Sequence, residues 1–207
     1  PVAIKLNSAD FQKGGFSLED STQVAAWLDA DGVDLIELSG GTYEQMSFVN
    51  GTGDVRRDST RRREAYFLAY ARELRKAVKA PLMVTGGFRS ARAMEEALAA
   101  DGIDMIGLAR PLCVDPDAAG GLLRGTVARV GIDEAGLMMG RGVLGANTRN
   151  RFVNLVNTVS SVEYYGRQIT RMSRGQAPET RHRHGAVTTF LRYLAATTLK
   201  ALHRRIA

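Results

Sequence analysis

A repeat constrains this chain more than any other feature. Asp29-Ala-Asp-Gly-Val-Asp-Leu-Ile-Glu-Leu38 returns seventy residues later as Ala99-Ala-Asp-Gly-Ile-Asp-Met-Ile-Gly-Leu108. In each copy a helix end, a glycine suited to a left-handed cap and the start of an apolar run coincide. A unit that couples helix end to strand start, used twice, predicts a repetitive β/α architecture, either a barrel or an open doubly wound sheet.

The rest of the first half keeps the same alternation. Apolar runs of strand length lie at Val2 to Leu6, Val33 to Leu38, Leu82 to Thr85 and Ile103 to Leu108. Helical stretches at Ser17 to Ala30, Ser59 to Val78 and Ser90 to Ala100 separate them, two of them opening on a serine cap. The order β-α-β-α-β-α-β predicts four parallel strands, neighbours in sequence order, with right-handed crossovers. Because Pro1 to Leu6 reads as a buried strand from the first residue, the sequence is expected to begin partway through a larger protein.

Beyond Arg110 the pattern loosens into glycine-rich sequence, and helical periodicity resumes near Asn150 to Ser173 and from Ala186 to Ile206. The expected organisation is a half barrel over residues 1–117, then a last barrel helix and a basic helical extension over 118–207. Residues 1–110 hold 14 basic and 16 acidic groups, whereas 111–207 hold 14 and 6, so the net charge of +6 arises entirely from the second part. That part lacks the interleaved aromatics of a base-stacking surface, so no nucleic-acid partner is expected. A lone cysteine, Cys113, excludes an intramolecular disulfide and suits a reducing compartment, the cytoplasm by default. No apolar run reaches spanning length. Membrane contact is not expected, and the basic amphipathic stretch 187–206 is the only hint of it.

Chemistry concentrates where two strands end. Thr85-Gly86-Gly87-Phe88 leads straight into a helix, and glycines there let exposed amides approach an anion; an ordinary tight turn is the alternative. The next strand ends in Gly107-Leu108-Ala109-Arg110-Pro111, adding a guanidinium at the same edge unless Arg110 serves a surface ion pair. In (β/α)₈ barrels the turns after the last two strands commonly form a phosphate site. Lys5, within an apolar strand, needs a partner or a function; Glu37 is one available partner.

Together Pro1-Val-Ala-Ile-Lys-Leu-Asn7, Gly32-Val-Asp-Leu-Ile-Glu-Leu-Ser-Gly-Gly41, Val84-Thr-Gly-Gly-Phe88 and Ile106-Gly-Leu-Ala-Arg-Pro-Leu112 resemble strands five to eight of the Old Yellow Enzyme family of NADH:flavin oxidoreductases. Tyr165-Gly-Arg-Gln-Ile-Thr-Arg171 is more weakly similar to the family's C-terminal helix. The resemblance implies a TIM (β/α)₈ barrel of which this chain supplies half, with FMN as cofactor and NADH or NADPH as hydride donor. It assigns Lys5 to the flavin N1 and C2 carbonyl as a modulating residue. The phosphate falls to the backbone of Gly86, Gly87, Phe88, Gly107 and Ala109 and to the Arg110 side chain, with Tyr43 bordering a small-molecule substrate.

The implied reaction passes hydride from NAD(P)H through flavin to an activated alkene, in a complete protein expected to be a homo-oligomer. The family's His-x-x-Asn or His-x-x-His substrate pair has no counterpart here. The histidines are His182, His184 and His203, all in the tail, and without a third ligand at suitable spacing no metal site is expected. The isolated chain is therefore expected to be inactive. The alternatives are a non-catalytic half barrel acting as an interaction module, or a barrel enzyme that binds a phosphate without flavin.

Overall fold

The computed structural model describes residues 1–10, 14–39, 67–100, 102–131, 134–146, 148–180 and 185–206. Four strands, β1 (Ala3–Asn7), β2 (Leu35–Ser39), β3 (Leu82–Thr85) and β4 (Met105–Gly107), form one sheet in the order β1-β2-β3-β4, every pair parallel. The neighbours-in-sequence order is the one expected from the alternation, and no switch point interrupts it among the described residues. Helices α1 (Leu18–Ala30), α2 (Leu68–Arg75) and α3 (Ala91–Ala100) supply the crossovers. Of the helix expected over Ser59 to Val78, residues 59–66 lie outside the described part.

Strand alternation sorts the side chains onto two faces. Ile36, Leu38, Leu82 and Val84 are fully buried and face the helices, where Ala25, Ala71 and Leu74 are also fully buried. The opposite face carries Lys5, Glu37, Met83 and Met105 on one row and Asn7, Ser39, Thr85 and Gly107 on the next, as the register Lys5–Glu37, Glu37–Met83, Met83–Met105 and Thr85–Gly107 requires. Ala3 and Lys5 are exposed and Ile4 is half-buried in this chain, where β1 pairs with β2 alone among the described residues.

The repeat has a physical basis. Gly32 and Gly102 both hold positive φ, 80° and 64°, which lets the chain leave a helix and enter a strand. Two residues on, Asp34 and Asp104 do the same work twice. Val2 N donates to Asp34 Oδ2 at 2.6 Å and Leu82 N to Asp104 Oδ2 at 2.9 Å. Each aspartate's own amide returns a bond to the carbonyl of that residue, Asp34 to Val2 and Asp104 to Leu82. The repeat thus joins each of two strands to its predecessor.

Helix α1 opens on a capping box between Ser17 and Asp20, whose carboxyl is held below its ordinary range first by the Ser17 amide and then by the Ser17 hydroxyl. The strands and their helices, with α4 (Ala118–Leu123), belong to one compact unit running to Gly131. A second unit contains α5 (Arg151–Met172) and α6 (Ala186–Ile206). In it Asn157, fully buried on α5, donates to the carbonyls of Leu144 and Gly145 and accepts from Met139 N at 2.8 Å, tying the preceding loop to the helix. Val156, Ala186 and Phe190 form the cluster that joins the two helices.

Candidate phosphate-binding site

Thr85 and Gly107 are register partners at the carboxyl ends of β3 and β4, so the turns that follow leave from one edge of the sheet. The first turn is held in a shape only glycine adopts easily: φ is 137° at Gly86 and 84° at Gly87. A Cβ on Gly86 would stand 2.9 Å from Phe67 Cε2, and Phe67 is itself buried, so the space cannot open cheaply. Phe88, 1% exposed, anchors the far end of the turn in the core. Ser90 follows as the cap of α3, its Oγ accepting from Ala93 N at 3.4 Å.

A strap fixes this turn from outside. Ser90 and Arg129 form an antiparallel bridge, Ala91 N donates to Ala128 O at 3.0 Å and Val130 N to Arg89 O at 2.8 Å. Among the described residues, neither Gly87 nor Phe88 donates its amide to a backbone carbonyl outside the strand ladder. Amides left in this way at a helix N-terminus are suited to an anion.

On the adjoining strand, a Cβ at Gly107 would overlap Thr85 Oγ1 and crowd Met83 Cε. That hydroxyl is buried and, among the described residues, has no hydrogen-bond partner. An orphaned buried hydroxyl costs on the order of 1–3 kcal/mol unless a ligand satisfies it. Sequence reasoning missed Thr85, because a threonine ending a strand looks like ordinary β-propensity, and it missed the strap, which no local pattern announces. The chain then passes through exposed Ala109 into a short 3-10 helix, Arg110–Cys113, with Arg110 half-buried at its start and Pro111 buried next to it. Burial raises the Cys113 thiol above its ordinary range against the opposing charge of Arg110, so Cys113 is not an activated nucleophile.

Gly86, Gly87, Phe88, Gly107, Ala109 and Arg110 therefore lie on two adjacent turns at one edge. Lys5 shares their sheet face but not their turn. It stands one same-face row earlier on β1, with β2 between, which is roughly 10 Å from β3 at ordinary strand spacing. Its Nζ pairs with Glu37 Oε1 at 3.1 Å and its side chain is 57% exposed. The partner named from the sequence thus accounts for the charge without a ligand. Tyr43, His182 and His184 lie outside the described residues, and no group of three or more metal-ligating side chains occurs among the described ones.

A parallel β/α sheet whose last two strands end in adjacent glycine-bearing turns defines an α/β module. The chain belongs to the NADH:flavin oxidoreductase / NADH oxidase family, whose model matches residues 2–125. It is 38% identical over 120 residues to the NADH-dependent flavin oxidoreductase iliE of Neonectria sp. (strain DH2), covering 56% of this chain and 16% of that protein. It is 46% identical over 87 residues to the NADH-dependent flavin oxidoreductase iccE of Talaromyces variabilis, covering 41% and 21%. A solved 2-naphthoyl-CoA reductase complex superposes with a TM-score of 0.53 at 21% identity, over 80% of this chain and 24% of that one, a likeness of fold. The chain thus spans less than a third of each of these proteins. The family is one of (β/α)₈ barrels, and membership carries its cofactors, FMN as the bound flavin and NADH or NADPH as the electron donor.

Proposed function

We propose that this chain supplies strands five to eight of a flavin-dependent barrel oxidoreductase that passes hydride from NAD(P)H to an activated alkene, in the cytoplasm. In this reading α4 is the last barrel helix, and the residues beyond it are an extension. The observation that carries the reading is the pairing of Thr85 with Gly107. It brings two glycine turns, one orphaned hydroxyl and one guanidinium to a single edge.

These residues fit a flavin phosphate. The amides of Gly86, Gly87, Phe88, Gly107 and Ala109 would hold its oxygens at the α3 N-terminus, and Arg110 would add charge-assisted bonds. When bound, the flavin supplies the redox chemistry and the protein supplies position and electrostatics. Lys5, already charged, would stand beside the ring's N1 edge and favour negative charge there, with Glu37 holding the ammonium in place. The family's substrate-holding histidine pair has no counterpart in these 207 residues, so the chain by itself is proposed to bind without turning over.

Titration of FMN into the complete protein, followed by flavin fluorescence, tests the assignment. Arg110→Ala should weaken FMN by about 1.5–3 kcal/mol, roughly 10- to 150-fold, the range for hydrogen bonds to a charged group. Binding of riboflavin, which lacks the phosphate, should barely change. Equal FMN affinity in the variant, or an equal loss for riboflavin, would remove Arg110 from the phosphate site.

A further inference from the structure

The C-terminal helix α6 leaves its own body. Ala186, Thr189 and Phe190 are buried against α5, where Phe190 meets Phe152 edge to face at 6.1 Å. From Leu191 through Thr198 every residue is exposed on all sides of the helix. Among the described residues, then, nothing of this chain covers Leu191, 59% exposed, or Leu194, 42% exposed. A helix in water with no packed face is marginal, because most helical stability comes from burying an apolar stripe.

The sequence of that segment is amphipathic. At 100° per residue the positions of Leu191, Leu194, Ala195, Leu202 and Ile206 fall on one side and those of Lys200 and Arg204 on the other, with Arg192 at the margin and Arg205 within the apolar side. After Glu179 the chain holds six basic residues and no acidic one. A second copy of the helix laid on this stripe would bring four positive charges against four more. A surface that is both apolar and anionic satisfies both features at once.

We propose that α6 docks on an anionic lipid bilayer, lying in the headgroup plane with Leu191 and Leu194 turned toward the acyl chains and its net positive charge held by the phosphates. It lies on the membrane and does not cross it, since no helix among the described residues is long and apolar enough to span. Docking would bury the stripe that the fold leaves in water, while the cradle on the other unit is not required for it.

Co-sedimentation of the 207-residue chain with vesicles of phosphatidylcholine, with or without phosphatidylserine, reads this directly. Binding should need phosphatidylserine and weaken as salt rises. Arg192→Gln and Lys200→Gln should each lower it about fivefold, given roughly 1 kcal/mol per basic residue near such a surface. Leu191→Gln with Leu194→Gln, which changes no charge at exposed positions, should lower it at least as much, with unchanged circular dichroism showing that the body is intact. Three results overturn the proposal: equal binding to neutral vesicles, indifference to the double leucine variant, or no vesicle binding alongside a concentration-dependent dimer that the leucine variant dissolves. The last would make a second copy the occupant.

Discussion

At the amino-terminal end of the sheet, backbone amides are answered by carboxylates. Asp34 takes Val2 N, Asp104 takes Leu82 N, and Asp29 takes Lys79 N and Ala80 N at 3.1 and 2.6 Å. At the carboxyl end of β3 and β4 the turns 86–90 and 107–110 contain no acidic residue, and they combine glycines of positive φ with Arg89 and Arg110. The one strand end is satisfied by carboxylates, while the other carries glycine turns and guanidinium groups of a kind suited to an anion. Under the proposed function the difference separates stability from binding: changes at the first edge should alter folding and spare ligand affinity, whereas changes at the second should act on ligand affinity.

The largest expected effect breaks the binding edge. Gly107→Val would force a side chain into the space of Thr85 Oγ1, costing about 1–3 kcal/mol as overpacking does, and it should abolish FMN binding even where the protein stays folded. Thermal unfolding and FMN titration read the two consequences separately. A variant that binds FMN normally would show that the Thr85–Gly107 contact does not shape the site.

Asp104→Ala tests the opposite edge and is expected to cost about 1 kcal/mol, since Leu82 N loses its acceptor and Arg75 its ion-pair partner at a half-exposed position. FMN affinity should not change, and a parallel loss of affinity would mean that the two edges are coupled. Acid distinguishes them further. The Lys79 and Ala80 amides hold the Asp29 carboxyl below its ordinary range, Lys79 contributing first. A lowered folded value means that its stabilisation is complete above the unfolded value and is lost as pH falls through the folded one. Asp29→Asn should therefore flatten the decline of stability in the acid range below about pH 4 and leave neutral-pH FMN binding intact. An unchanged acid profile would place the acid-labile bonds elsewhere.

The smallest effect on stability belongs to Lys5→Met. Its ion pair with Glu37 is largely exposed, and such pairs are worth less than about 1 kcal/mol. The informative readout is the flavin's reduction potential in the complete protein, which should fall if the ammonium stands beside the ring. An unchanged potential would leave Lys5 as the partner of Glu37 alone.

Much of this was legible in the residues themselves. The spacing of Gly32 and Gly102, the alternation of strand-length and helical runs and the glycines after Thr85 are local signals, and they determined the parallel order, the helix ends and the edge where an anion would bind. The limits of the long helices, Arg151–Met172 and Ala186–Ile206, also followed closely from periodicity. Contacts between distant segments were not legible. That Thr85 Oγ1 occupies the space a side chain on Gly107 would need, that residues 128–130 strap the turn at Ser90, and that β1 is an exposed edge are consequences of which strands meet. Hydrophobic periodicity said that α6 has an apolar side. Only the tertiary structure decided that the body stops covering it at Leu191, because burial depends on what a helix packs against, and a pattern within the helix cannot specify that.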